Sequence, residues 1–515
     1  MTDQRTTPHG SIGKVIAQTR YGRVEGQLEN GARAFKGIPY GASTAGAGRW
    51  LPPRPPAAWG GVRQAREFGA MCPQLFGAPL AEETAILQRG PMSEDCLNLN
   101  VWTPALDDAA RPVMVWFHGG VFSVGSGAST SNDGANLAAR NDVVVVTVNH
   151  RLNLFGFLDV SSVAGPDYAA SGNVGMLDCV AALEWVRDNI AGFGGDPGNV
   201  TIFGHSGGGM KVMHLMAMPA AKGLFHRAIP MSGFTLKANS AEHSAGISQD
   251  VIISLDLGDD PLRRLQSLPT ERLIDILEQR PDYMFILGPH VDGDILPGDP
   301  FDPGAPALSV HIPMMVGTTE TEINFMPFTQ LDAIDEATLH ASLKEFTGLG
   351  DEDLTALIAA YRSEHPDHDN TYLYQVLASD WLLGADGIAV AERKAAQGGA
   401  PIWVYYWTRH SNAREGKLRA PHTVEIPYIF DTFHKKPPIV GATGPADQAI
   451  ADQMSRTWAN FARTGNPNND AVPHWPAYDL EIRPVLVIGN SLAVECNPRP
   501  RSRAAMSEIR AKIAS

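Results

Sequence analysis

Short, almost wholly apolar runs alternate along this chain with longer stretches whose apolar residues recur at helical spacing. The clearest runs are Val113-Met114-Val115-Trp116-Phe117, Val143 to Val148, Val200-Thr201-Ile202-Phe203, Pro313 to Val316, Ile402 to Tyr406 and Val485 to Ile488. They have strand length and lack the polar alternation of a half-exposed sheet, which predicts strands buried on both faces in a mostly parallel sheet. Met176 to Ile190, with Leu177, Val180, Ala181, Leu183, Trp185 and Val186, predicts a helix with a largely apolar face, and Met210 to Met218 predicts another. The class is therefore α/β, a central sheet flanked by helices. Two more polar stretches, 240–280 and 332–368, predict helical insertions of the kind from which a lid over a site is built. No fixed-period repeat is present, which argues against a solenoid. One domain spanning 1–515 is expected, with about the first twelve residues flexible.

Composition narrows the function classes. With 515 residues, 44% of them hydrophobic and 19% charged, the chain can bury a large core and does not read as disordered. A net charge of -15 with no Lys/Arg-dense run excludes nucleic acid and anionic membrane surfaces as expected partners. Met1 to Gly22 holds no apolar stretch of signal-peptide length, and nowhere do about twenty apolar residues run together. The expectation is a soluble, cytoplasmic protein. Cys72, Cys96, Cys179 and Cys496 lack the paired spacing of a zinc site, and Cys179 and Cys496 read as core thiols.

Candidate chemistry centres on Gly204-His205-Ser206-Gly207-Gly208. Acyl transfer needs a serine on a sharp turn from strand to helix, with small neighbours because side chains there would strike the adjoining elements. The run follows the apolar Val200 to Phe203 and precedes the Met210 helix, so Ser206 is the candidate nucleophile. The helix start directs N–H groups and the positive end of its dipole at negative charge formed beside the hydroxyl, making Gly207 N–H a candidate oxyanion donor. A phosphate-cradling loop is the rival reading, but it requires Gly-Lys-Ser/Thr and Lys211 stands in the wrong place. A second group of donors is needed, and His118-Gly119-Gly120-Val121, directly after a predicted strand, offers Gly120 and Val121, with Gly119 giving the backbone room to approach. His205 neighbours the nucleophile and is assigned an orienting or gate-lining role. His118 and His150 read as structural, and His365-Pro366-Asp367-His368 reads as a solvated loop rather than a metal site.

Further stretches carry a resemblance: Phe35-Lys36-Gly37-Ile38-Pro39-Tyr40, Glu94 to Val101, the long run from Gly172 to Gly209, and Trp458 to Ala462 with Gly465-Asn466-Pro467-Asn468. Over roughly residues 13 to 510 the chain resembles the type B carboxylesterase/cholinesterase family, and is most similar to its bacterial members of the para-nitrobenzyl esterase kind. The resemblance implies an α/β-hydrolase fold with helical insertions over the active site. It implies an acid at Glu322, in Val316-Gly317-Thr318-Thr319-Glu320-Thr321-Glu322, with Glu320 the weaker candidate because Asp-Glu-Gly is often found where this chain has Thr321-Glu322-Ile323. It implies a general base at His422, in Ala420-Pro421-His422-Thr423-Val424-Glu425-Ile426-Pro427-Tyr428.

The same resemblance makes Ser232 a serine that hydrogen-bonds near the catalytic acid, and makes Arg49 with Glu94 and Arg151 with Asp178 architectural ion pairs. Cys72 and Cys96 fall where secreted relatives carry a disulfide, and in a reducing cytoplasm two neighbouring thiols are expected. The implied activity is hydrolysis of a small-molecule carboxylic ester through Ser206, His422 and Glu322 and an acyl-enzyme, without metal or cofactor. The same machinery serves carbamates and amides, and a non-catalytic binding scaffold of this fold is the more distant rival. Val121 departs from the Gly-Gly-Gly and Gly-Gly-Ala turns of relatives that accept tertiary alcohol esters.

Overall fold

A computed structural model describes residues 15–75, 90–435 and 438–514. The first twelve residues, expected to be flexible, lie outside them. Among the described residues thirteen strands form one sheet. From one edge the strands run Val15–Thr19, Gly22–Glu29, Ala32–Pro39, Asn98–Thr103, Val144–Val148, Arg111–Phe117, Gly195–His205, Arg227–Met231, Met314–Thr319, Ile402–Trp407, Pro484–Ile488 and Leu492–Cys496, while Val62–Gln64 pairs beside the second. The stretch from Val144–Val148 to Pro484–Ile488 is parallel throughout, and antiparallel strands finish both ends.

The apolar runs follow from burial on both faces. Val113, Val115 and Phe117 enter one core together with Val144, Val146 and Val148, whereas Met114 and Trp116 enter the opposite core with Val145 and Phe203. Val115 lies opposite both Val146 and Ile202, so three parallel strands bring their apolar residues into register. Within 240–280 helices run over Ala241–Ser254, Pro261–Ser267 and Thr270–Gln279, whose Val251, Leu265 and Leu273 join the first core. Within 332–368 lie the helices Glu336–Thr347 and Asp351–Glu364, and these pack with Asn370–Ser379 and the last helix, Pro500–Ala514, around a third cluster. No described helix is long and apolar enough to cross a membrane.

Several expectations need correction. Cys496 is exposed, because it ends the antiparallel strand at the sheet edge. His365 and His368 are partly buried and not a solvated loop: their rings stack 4.5 Å apart and His368 stacks on Tyr372 at 3.7 Å. The helix after Ser206 takes in Gly207 to Gly209 ahead of the Met210 stretch, as a helix start at the nucleophile requires, since close packing overrides the low helix propensity of three successive glycines.

Two buried ion pairs tie the connections to the sheet. Arg49 donates to both oxygens of Glu94, at 2.7 and 2.6 Å, and Arg151 does the same to Asp178, at 2.8 and 2.6 Å. Asp178 also accepts from the Arg151 backbone N–H at 3.0 Å, so one carboxylate fixes both the side chain and the chain path after Val144–Val148. Removing one member of such a pair strands the other charge in the interior. Asp178→Asn is therefore expected to cost about 3–5 kcal/mol, read as a lower urea midpoint at an unchanged denaturant slope. A loss below about 1 kcal/mol, typical of surface pairs, would contradict the account.

Candidate active site

Four connections leave the carboxyl ends of parallel strands on the same side of the sheet, where open α/β sheets place their sites. They follow Phe117, His205, Thr319 and Trp407, and they carry the turn 118–121, Ser206, Glu322 and His422 respectively. Ser206 sits between strand and helix with φ 57° and ψ -127°, a conformation that only a tightly held backbone sustains in a serine. Its N–H donates to Met231 O at 2.9 Å and its carbonyl accepts from Met210 N–H at 3.0 Å, which fastens the bend at both ends. Ser206 is partly exposed, whereas Glu322 and His422 are buried.

Glu322 and His422 meet because their connections are joined. Thr321 N–H donates to Ala420 O at 3.1 Å, and Asn324 reaches Leu418 O at 3.0 Å. His422 Nδ1 then stands 2.5 Å from Glu322 Oε2, while Glu322 Oε1 accepts from Thr319 N–H at 2.7 Å. The Phe325 ring stacks on the imidazole at 4.5 Å. Burial holds the His422 pKa below its ordinary 6.5, the neighbouring His205 pulls the same way, and Glu322 only partly offsets them. Glu320 turns elsewhere: its Oε2 accepts from Tyr372 Oη at 2.5 Å and lies 3.2 Å from His410 Nε2.

The turn 118–121 abuts the start of the helix. A methyl group on Gly207 would fall 2.1 Å from the Val121 carbonyl oxygen, and one on Gly119 would fall 3.3 Å from Ser206 Cβ, so the two segments touch only because these positions lack side chains. Val121 has φ 54°, in the left-handed region that a β-branched residue rarely enters. Among the described residues the N–H groups of Gly120, Val121 and Gly207 have no protein acceptor. His118, behind the turn, stacks on His150 at 4.8 Å, and burial lowers its pKa to about 3, keeping it neutral.

Of two supporting residues, His205 stands differently from expectation. His205 is wholly buried and lines no gate: its ring packs 4.3 Å from that of His422, and its Nε2 is 3.2 Å from Glu425 Oε1 without hydrogen-bond alignment. Ser232 Oγ lies 3.4 Å from Glu425 Oε1, so its partner is Glu425 and not Glu322. Glu425 thus joins the cluster behind the imidazole, and burial raises its pKa to about 7. Sequence reasoning gave it no role, although it stands three residues after His422 in the same motif. Lys211, used only to exclude a phosphate loop, is buried under the turn, with Nζ 2.6 Å from Val121 O.

Cys72 and Cys96 are free, buried neighbours, and the contact with Cys72, followed by burial, pushes the Cys96 thiol up. No three His, Cys, Asp or Glu side chains among the described residues converge as a metal site would require. A cavity of about 860 Å³ runs from Val121, Phe122 and Met210 beside the turn to Arg499 and Arg510, and Ser206, Glu322 and His422 are not in its wall. Its size is that of a small-molecule site.

The geometry sets an imidazole oriented by a carboxylate next to the strand end that carries Ser206, and comparison with known proteins gives the family. A family model described as "Carboxylesterase family" matches residues 13–505. The chain is 36% identical to a para-nitrobenzyl esterase of Bacillus subtilis (strain 168), across 95% of this chain and 97% of that one. It is 33% identical to a phenmedipham hydrolase of Pseudarthrobacter oxydans, across 93% and 96%. The crystal structure of a Geobacillus stearothermophilus carboxylesterase superposes with a TM-score of 0.83 at 36% identity, covering 96% of this chain and 100% of that one.

Proposed function

Because the chain belongs to the carboxylesterase family and is a serine ester hydrolase, we propose that Ser206, His422 and Glu322 hydrolyse a small-molecule carboxylic ester through an acyl-enzyme. The observation that carries this is the 2.5 Å contact of His422 Nδ1 with Glu322, on a ring packed against the residue before Ser206. With Nδ1–H engaged by the carboxylate, Nε2 is left unprotonated and can take a proton. Ser206 Oγ attacks the ester carbonyl as Nε2 accepts its proton, and the C=O electrons move onto the oxygen. N–H groups of Gly120, Val121 and Gly207 receive that oxyanion. Collapse breaks the bond to the alkoxy oxygen, which leaves with the imidazolium proton, and water then repeats the sequence on the acyl-serine. Gly119 leaves room for the turn, His205 and Glu425 back the imidazole, and Ser232 holds Glu425. The helices within 240–280 and 332–368 would supply a lid.

The triad relays every proton in this scheme and water supplies the second nucleophile, so no metal or cofactor is needed. We place the enzyme in the cytoplasm, where Cys72 and Cys96 would stay as thiols, and its net charge of -15 argues against nucleic acid as a partner. Turnover of a para-nitrophenyl ester, an aryl carbamate and an anilide by the purified protein tests the substrate class. The ester is expected to be fastest, and faster turnover of the carbamate or anilide would overturn the ester assignment.

A pH profile tests the base. Burial disfavours the protonated imidazole, so the acid limb of kcat/KM is expected to have its midpoint below the ordinary 6.5, with the rate falling as pH drops through it. A midpoint above 6.5 would mean that the carboxylates dominate and that the environment of His422 has been misread.

A further inference from the structure

Lys211 lies one turn into the helix Gly207–Ala217 and is wholly buried. No carboxylate among the described residues offsets its charge, and burial pulls its pKa down to about 7. Its Nζ donates instead to three carbonyls, Val121 O at 2.6 Å, Gly207 O at 3.2 Å and His118 O at 3.4 Å, and stands 5.1 Å from the centre of the Phe122 ring. An ammonium has three donors and so matches three acceptors, whereas a neutral amine would leave one carbonyl unserved. These acceptors belong to the two segments that frame Ser206. One is the carbonyl of Val121, whose backbone is held in the left-handed region. An unpaired buried cation is costly, and a methionine would fill the same space without that cost.

We propose that Lys211 is a positioning residue for ester hydrolysis, its ammonium form bridging the turn 118–121 to the helix after Ser206 and placing positive charge behind the oxyanion donors. The bridge holds the Val121 peptide against its strain, so that its N–H and that of Gly207 converge before substrate arrives. The attraction strengthens as the carbonyl oxygen becomes an oxyanion, because Lys211 is wholly buried and its charge is weakly screened. Binding of the neutral ester feels little of this, so the effect falls on kcat. The inference rests on the reading that Gly120, Val121 and Gly207 serve the oxyanion of an ester attacked by Ser206.

Lys211→Met tests it, with kcat, KM and thermal midpoint measured alongside affinity for a trifluoromethyl ketone, whose adduct with a serine carries an oxyanion. The expected result is a kcat lower by about ten- to a hundredfold with KM nearly unchanged, ketone binding weakened by a similar factor, and no loss of thermal midpoint. A purely structural lysine predicts the reverse: a lower midpoint with kcat and ketone affinity kept, and that result overturns the proposal. Should the methionine variant be unstable, Lys211→Gln, which keeps an N–H for Val121 O but no charge, carries the same comparison. Ser206→Ala run in parallel separates the two claims. If it retains turnover, the site reading fails first; if it is inactive while Lys211→Met keeps full kcat, only the role of Lys211 fails.

Discussion

Replacing Ser206 with alanine is expected to lower kcat by about a million-fold, or ~8 kcal/mol, while leaving KM and the fold nearly unchanged. The backbone bonds that fasten the bend, from Ser206 N–H to Met231 O and from Met210 N–H to Ser206 O, do not involve the hydroxyl. Alanine bears the same backbone strain as serine at φ 57°, so stability has no reason to fall. What disappears is the atom that attacks, and with it the reason for His422 to hold a proton. The remaining donors and cavity would still support a residual rate about a thousandfold or more above water, because oxyanion stabilisation and binding survive loss of the nucleophile. Steady-state turnover of a para-nitrophenyl ester measures the effect. A variant within about tenfold of the parent would remove Ser206 from the mechanism.

Glu322→Gln is expected to reduce kcat by about ten-thousandfold, or ~5 kcal/mol, with the fold intact. The amide carbonyl can still accept from Thr319 N–H, as Glu322 Oε1 does at 2.7 Å. The NH₂ then faces His422 Nδ1 where the carboxylate stood at 2.5 Å, and two N–H groups cannot share that contact. The imidazole adopts the other tautomer, with its proton on Nε2, and cannot accept the serine proton. Glu320→Gln is the matched control, since that carboxylate is engaged by Tyr372 and His410 and not by His422. Its kcat should stay close to the parent value. If Glu320→Gln carries the large loss and Glu322→Gln does not, the acid has been assigned to the wrong residue.

How much of this was legible in the sequence depended on what each residue faces. The runs around Val115, Val146 and Val404 were readable because strands buried on both faces carry apolar residues at every position. Gly22–Glu29 and Leu492–Cys496 left no such trace, since antiparallel strands at the ends of the sheet expose polar or small residues on one side. Arg227–Met231 also escaped notice: it is short and contains Pro230, which reads against a central strand, yet it lies inside the parallel stretch.

At the site, Ser206 and the turn 118–121 were visible from local rules of turn and helix, because their chemistry depends on neighbours in sequence. Glu322 and His422 lie 100 residues apart, and only the resemblance to a family brought them together. Lys211 and Glu425 were missed for a shared reason. A charged residue on a helix or in the turn before one reads as solvent-facing, and nothing local reveals that Lys211 meets the carbonyls of His118 and Val121 or that Glu425 meets Ser232. Such pairings arise from the packing of connections that leave different strands.

The central claim is that the Ser206 hydroxyl is the group that becomes acylated. Intact-protein and peptide mass spectrometry after reaction with a fluorophosphonate tests it most directly. A single adduct on Ser206, absent from Ser206→Ala and slowed in Glu322→Gln, is the predicted result. An adduct on another residue, or equal labelling of Ser206→Ala, would contradict it.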